Sequence, residues 1–182
     1  MQELRIHGRG GQGAVLAGEI LVSALVQDGK SGASFPMFGF ERRGAPVTAF
    51  VRLDDSPIRE RSQIYHPNCL IVMDPVQIAW PQTFAGLKSN ATLILNNPDP
   101  PSDPPHPNIV KAGIIDATQI ALQEIGKAAL NTAMLGAFAA TTGLVRIEAV
   151  LSALDMYFQG RALEQNKRCI ERGYAEVKVA EW

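Results

Sequence analysis

The stretch Arg5–Leu25, RIHGRGGQGAVLAGEILVSAL, decides the fold, because it carries a glycine pattern between a strand candidate and a helix candidate. Gly8, Gly10 and Gly13 satisfy G-x-G-x-x-G. Leu4 to His7 reads as a short buried strand, and Ala14 to Gln27 as a helix. In that helix Leu16, Ile20 and Ala24, together with Leu21 and Leu25, follow the four-residue step of an apolar face, while Glu19, Ser23 and Gln27 line the other side. A strand that runs through glycines into a helix aims backbone N–H groups at an anion. A dinucleotide site needs more: an acidic residue about 20 positions on, at the end of the next strand, to bond a ribose hydroxyl. The next strand candidate, Ser31 to Phe35, ends in Ser-Phe-Pro, and Glu41 lies farther on in an Arg-rich loop. The loop therefore allows phosphate and lacks the ribose hook. Its glycines serve equally a tight turn and close packing of helix on strand.

Outward from that loop, the rest of the chain alternates. Thr48 to Leu53 reads as a strand followed by a turn at Asp54 to Pro57 and an extended return, a hairpin in form. CLIVMDP (69–75) and ATLILNNP (91–98) are apolar runs closed by turn residues, the form of strands buried on both faces of a parallel sheet. Between them Pro81 breaks any long helix. The six prolines from Pro98 to Pro107 predict an extended surface connection. IVKAGIIDAT (109–118) supplies a further strand, with Asp116 or Thr118 as helix cap. NTAMLGAFAATTG (131–143) reads as a buried helix with Asn131 as cap, Gly136 and the alanines for close packing, and Gly143 as terminator. From Ile147 to about Lys178 the pattern is amphipathic, with interruptions near Gly160 and Gly173.

These elements predict a single domain over residues 1–182. Its class is α/β, a three-layer α/β/α arrangement with a short-stranded, mostly parallel or mixed sheet and a helical C-terminal third. Ligand crevices in such sheets lie beyond the carboxyl ends of the strands, which gathers Gly8 to Gly13, Asp74 to Val76 and Asn96 to Pro98 at one edge.

Composition narrows the function. With 182 residues, 46% of them hydrophobic, the chain can build a real core. Seventeen basic against 18 acidic residues give no field to attract nucleic acid or an anionic membrane. No apolar run approaches the roughly 20 residues of a membrane span, and the N-terminus lacks a signal-peptide pattern, so a cytoplasmic protein is expected. Cys69 and Cys169 are the only cysteines, and His7, His66 and His106 are scattered without ligand spacing. An iron–sulfur or structural zinc site cannot be assembled from them, and no nucleophile-base constellation has a recognisable local signature.

Three stretches carry more: RIHGRGGQGAVLAGEIL (5–21), FPMFGFERRGAPVTAFVRLDDSPIRERSQIYHPN (35–68) and NTAMLGAFAATTGLV (131–145). Together and in this order they resemble the gamma subunit of the 2-oxoacid:ferredoxin oxidoreductases, most closely the pyruvate type. The resemblance implies a noncatalytic component of a complex that oxidatively decarboxylates a 2-oxoacid to an acyl-coenzyme A and reduces ferredoxin. It implies alpha, beta and delta partner subunits that hold thiamine diphosphate, Mg and [4Fe-4S] clusters, and no catalytic residue or metal in this chain. Coenzyme A is the ligand it brings to the glycine loop, since a pyrophosphate suits backbone donors and a ribose phosphate suits arginine. On that reading Gly10, Gly11, Gln12 and Gly13 line an anion-accepting turn, and Arg42 or Arg43 contacts a phosphate. The alternative for Arg42 and Arg43 is ion pairing with Glu41 or with acids of a neighbouring subunit. Two alternatives for the whole chain stay open: a stand-alone NAD-type enzyme, and a gamma subunit acting on another 2-oxoacid. The sequence departs from the family form at Arg146, where a small capping residue is usual.

Overall fold

A computed structural model describes residues 1–37 and 44–182. The described chain runs β1 (Gln2–Arg9), α1 (Ala14–Gln27), β2 (Ser31–Pro36), β3 (Pro46–Asp54) and β4 (Cys69–Val72), then two 3-10 turns, Pro75–Ala79 and Pro81–Phe84. It continues through β5 (Ala91–Asn96), β6 (Ile109–Ile115), α2 (Ala117–Glu124), α3 (Asn131–Thr142), α4 (Ile147–Ala153), α5 (Gly160–Glu176) and β7 (Lys178–Glu181). The strands form one mixed sheet in the order β2-β3-β1-β4-β5-β6-β7. β1, β4, β5 and β6 are parallel, β3 is antiparallel to both β1 and β2, and β7 is antiparallel to β6.

The pleat sorts side chains between two cores, because successive residues of a strand point to opposite faces. Leu4, Ile6, Cys69, Ile71 and Ile94 face a core shared with α1 to α5. Leu70, Val72, Leu93, Leu95 and Ile114 face a smaller one, closed by Phe84, Leu87 and Ile78 from the 3-10 turns and the segment after them. The α/β class and mixed sheet are as expected. The layer opposite the helices is thin, because Pro75 and Pro81 hold the β4–β5 connection to short turns.

Four local readings need correction. The hairpin pairs β3 with the preceding strand β2, Phe35 opposite Phe50, and the segment after Asp54 adds no return strand. Packing decided this: Arg52 points inward and is held by the carbonyls of Ser62 and Gln63 at 2.7 and 3.4 Å, which ties that segment down without a ladder. Asn131 does not cap α3. Leu130 occupies the N-cap, and the Asn131 side chain lies against Gly13. Gly173 does not interrupt α5, because it marks where two helix backbones touch: a Cβ there would fall 2.0 Å from the Ala133 carbonyl oxygen. The helical third also ends in β7, a four-residue strand too short and too polar to show a period.

Elsewhere the readings match. α1 spans Ala14–Gln27 as expected. The Asp116 carboxylate caps α2 by accepting from the Gln119 N–H at 2.9 Å, and Gly143 ends α3 in the left-handed conformation. Among the described residues, no helix is long and apolar enough to cross a membrane.

Candidate functional site

The connection after β1 leads to α1 on one face of the sheet, whereas the connection after β4 leads to the 3-10 turns on the other. Adjacent parallel strands whose connections diverge leave a crevice at their carboxyl ends. The glycine loop and Asp74 flank that crevice. Beside them, the buried Asn96 side chain at the end of β5 donates to the Met73 carbonyl at 2.8 Å and to Thr118 at 2.9 Å. The three loops expected at one edge are therefore brought together.

Within the turn each predicted residue has a distinct role. Gln12 closes the loop on itself: its N–H donates to the Arg9 carbonyl at 3.0 Å, and its side-chain oxygen accepts from the Arg9 N–H at 2.7 Å. The Gly10 N–H is spent on the Ala45 carbonyl at 2.9 Å. Gly11 and Gly13 have φ of 98° and 84°, where an L side chain is strained. A Cβ on Gly13 would also meet the Asn131 amide nitrogen at 2.7 Å, while the space above Gly11 is open. No side chain caps α1. The N–H groups of Ala14, Val15 and Leu16, and those of Gly11 and Gly13, have no acceptor among the described residues. They form a concentration of donors at a helix N-terminus.

The site also contains residues the sequence did not single out. The Arg9 guanidinium crosses the crevice to Asp74 at 2.5 Å, donates to the Gly44 carbonyl at 3.2 Å, and lies 5.9 Å from the Trp80 ring centroid. The signal was present, since Arg9 occupies the x of G-x-G. What could not be read was that the Arg9 side chain pairs with Asp74, 65 residues on. Arg42 and Arg43 lie outside the described residues.

The thiols are inert. Burial pushes Cys69 up to about 12 and Cys169 up to about 11, so neither offers a thiolate near neutrality. They sit on β4 and α5 and do not fit an iron–sulfur cluster. His7 on β1 is pushed down to about 3 by burial and by the charge of Arg5, which leaves the imidazole neutral.

The class defined here is a mixed α/β domain with a glycine turn at the carboxyl ends of its parallel strands. Residues 3–176 match the family model for pyruvate ferredoxin/flavodoxin oxidoreductase, and the chain belongs to that family. Within it this is a gamma-type chain. It is 46% identical to the gamma subunit of NADH-dependent phenylglyoxylate dehydrogenase from Aromatoleum evansii, over 98% of this chain and 95% of that one. It is equally 46% identical to pyruvate synthase subunit PorC from Methanothermobacter thermautotrophicus, over 98% and 97%. The crystal structure of pyruvate oxidoreductase subunit PORC from Thermotoga maritima superposes with a TM-score of 0.84 at 35% identity, covering 99% of this chain and 98% of that one.

Proposed function

We propose that this chain is the gamma subunit of a thiamine diphosphate- and iron–sulfur-dependent oxidoreductase. The complex converts a 2-oxoacid, pyruvate first, and coenzyme A to acyl-coenzyme A and carbon dioxide, with electrons passed to ferredoxin. The observation that carries this is end-to-end similarity to gamma subunits of enzymes named for pyruvate and for phenylglyoxylate. Both compounds have a ketone next to a carboxylate. Thiamine diphosphate supplies the carbanion chemistry and the clusters the electron path, both in alpha, beta and delta partners. Equal identity to the two relatives sustains a second reading, in which the complex acts on another 2-oxoacid.

This chain's own contribution is assembly and a contact to coenzyme A. The N–H groups of Gly11 and Gly13 and the first turn of α1 suit a pyrophosphate, because fixed backbone donors at a helix N-terminus stabilise anionic oxygen without reorganising. Open space above Gly11 lets the ligand approach the backbone. Arg42 and Arg43 add charge-assisted bonds to a ribose phosphate.

The test is coenzyme A-dependent reduction of ferredoxin by the complex purified with its partners, with pyruvate and phenylglyoxylate compared as substrates. Pyruvate is expected to give the higher kcat/KM. Replacing Arg42 and Arg43 with Ala is expected to raise the KM for coenzyme A by roughly 10- to 100-fold, the loss of one or two charge-assisted bonds. An unchanged KM in a loosened complex overturns the coenzyme A contact and leaves these arginines as ion-pair partners between subunits.

A further inference from the structure

On the thin side of the sheet, a cavity of about 330 Å³ opens between β1, β3 and the 3-10 turns. Phe50, Trp80, Tyr65 and Met37 give it apolar walls, and Arg5 and His7 of β1 line it. Both polar side chains are deeply buried, at 7% and 9% exposure. Arg5 donates through one terminal nitrogen to the Thr83 carbonyl at 2.9 Å. Its Nε and the His7 Nε2 are buried without a hydrogen-bond partner among the described residues, and no described carboxylate lies within ion-pair distance of Arg5.

A buried guanidinium lacking a counter-charge is costly, and such groups persist where something completes them. Its neighbour on the same face shows the completed form: Arg52 is fully buried and meets Glu3 at 3.1 Å and two backbone carbonyls. His7, neutral, adds no competing charge. The mouth has the opposite defect. Tyr65 is 65% exposed and Met37 46%, apolar surface that a small ligand seated below them has no use for and that a protein partner would cover. Aromatic residues and arginine at the centre of an apolar patch are the composition of an interface hot spot.

The geometry points to a docking socket: the Arg5 cavity receives an Asp or Glu side chain, flanked by apolar residues, from another subunit of the same enzyme. This rests on the chain working as a gamma subunit. The inserted carboxylate pairs with Arg5 Nε, and apolar neighbours cover Tyr65 and Met37. The socket lies beside the glycine turn, joined to it through Gln77, which donates to the Gly8 carbonyl at 2.8 Å and also lines the cavity. Docking there would brace the loop that the partner complex uses.

The test is reconstitution of the chain with its partner subunits, with the dissociation constant read by analytical ultracentrifugation for wild type, Arg5→Met and Tyr65→Ser. Arg5→Met is expected to weaken association by roughly 30-fold or more, as for truncating one member of a buried charge pair. The urea midpoint of the free variant chain is expected to equal or exceed that of wild type. Tyr65→Ser, at an exposed position, is expected to weaken association as well. A free Arg5→Met chain with a lowered midpoint but wild-type association makes Arg5 a structural residue and overturns the socket, as does wild-type association by both variants. Phenylacetate separates the remaining case: with Trp182→Phe leaving Trp80 as the reporter, a saturable change in fluorescence that persists in the assembled complex makes the cavity a small-molecule site instead. Wild type failing to assemble at all is a different result, which removes the gamma-subunit reading itself.

Discussion

The two faces of the sheet are built on different rules. On the helical face, contact is so close that backbone meets backbone: Gly136 and Gly173 let α3 and α5 cross where a Cβ on either would lie about 2 Å from a carbonyl oxygen of the other helix. On the thin face, space is left over and two arginines one strand apart are buried in opposite circumstances, Arg52 with a carboxylate partner and Arg5 with none among the described residues. The helical face is closed by this backbone contact between α3 and α5. The thin face holds an unfinished site.

The sharpest way to break this contrast is Gly173→Ala. In an exposed helix the change would stabilise by up to about 1 kcal/mol through helix propensity. Here the new methyl would fall 2.0 Å from the backbone oxygen of Ala133, which cannot move without shifting a helix. Destabilisation by about 3 kcal/mol or more is expected in urea unfolding. A neutral or stabilising result would mean that α3 and α5 slide freely, and that the helical face is no more tightly packed than the other.

The next effect compares the arginines. Arg52→Met leaves Glu3 half-buried, although Lys88 at 3.0 Å still faces it, and removes the ties to Ser62 and Gln63. A loss of about 3 kcal/mol is expected. Arg5→Met in the free chain is expected to leave stability unchanged or to raise it, because the methionine occupies a similar volume without a charge to desolvate. Equal losses at the two positions would place Arg5 in the scaffold and end the distinction between the faces.

How far each face could be read from sequence follows the same division. Helix α1 was legible to the residue because Leu16, Ile20, Leu21, Ala24 and Leu25 repeat with the helix period and Gly13 marks its start. Strands β4 and β5 were legible as apolar runs closed by Asp74-Pro75 and Asn97-Pro98. The glycine turn was legible as a turn. That Gly10 and Gln12 are spent inside it, leaving Gly11 and Gly13 as donors, depends on Ala45 and the Arg9 backbone, and no local pattern records that. The Arg5 cavity was illegible for a related reason. Its walls come from β1, β3 and the turns after β4, and the charged residue sits in a strand whose alternation reads as ordinary. β7 escaped because its pairing with β6 is set by where α5 delivers the chain, with Lys178 opposite Ile114.

The smallest effect lies where the helical face meets solvent. Arg146 is the N-cap of α4 and has no side chain suited to capping, yet the cap is supplied from a distance: Asp28, just past α1, accepts from the Arg146 N–H at 3.2 Å and from its guanidinium. Hydrogen bonding from Arg146 holds the Asp28 carboxyl below its ordinary value of 3.8, against the opposing effect of burial. A carboxyl whose folded value is depressed binds its proton more readily in the unfolded chain. Its contribution is therefore fully present above 3.8 and lost as the pH falls below that toward the folded value. Asp28→Ala is expected to cost about 1 kcal/mol at pH 7, the worth of a helix cap, with little added by an ion pair whose arginine lies open to solvent. Urea midpoints of wild type and Asp28→Ala should differ at pH 7 and converge as the pH is lowered through 3.8. A gap that persists below pH 3 would show that the aspartate acts through packing at the α1–α4 junction, making this edge an extension of the close-packed face instead of a charge-capped boundary.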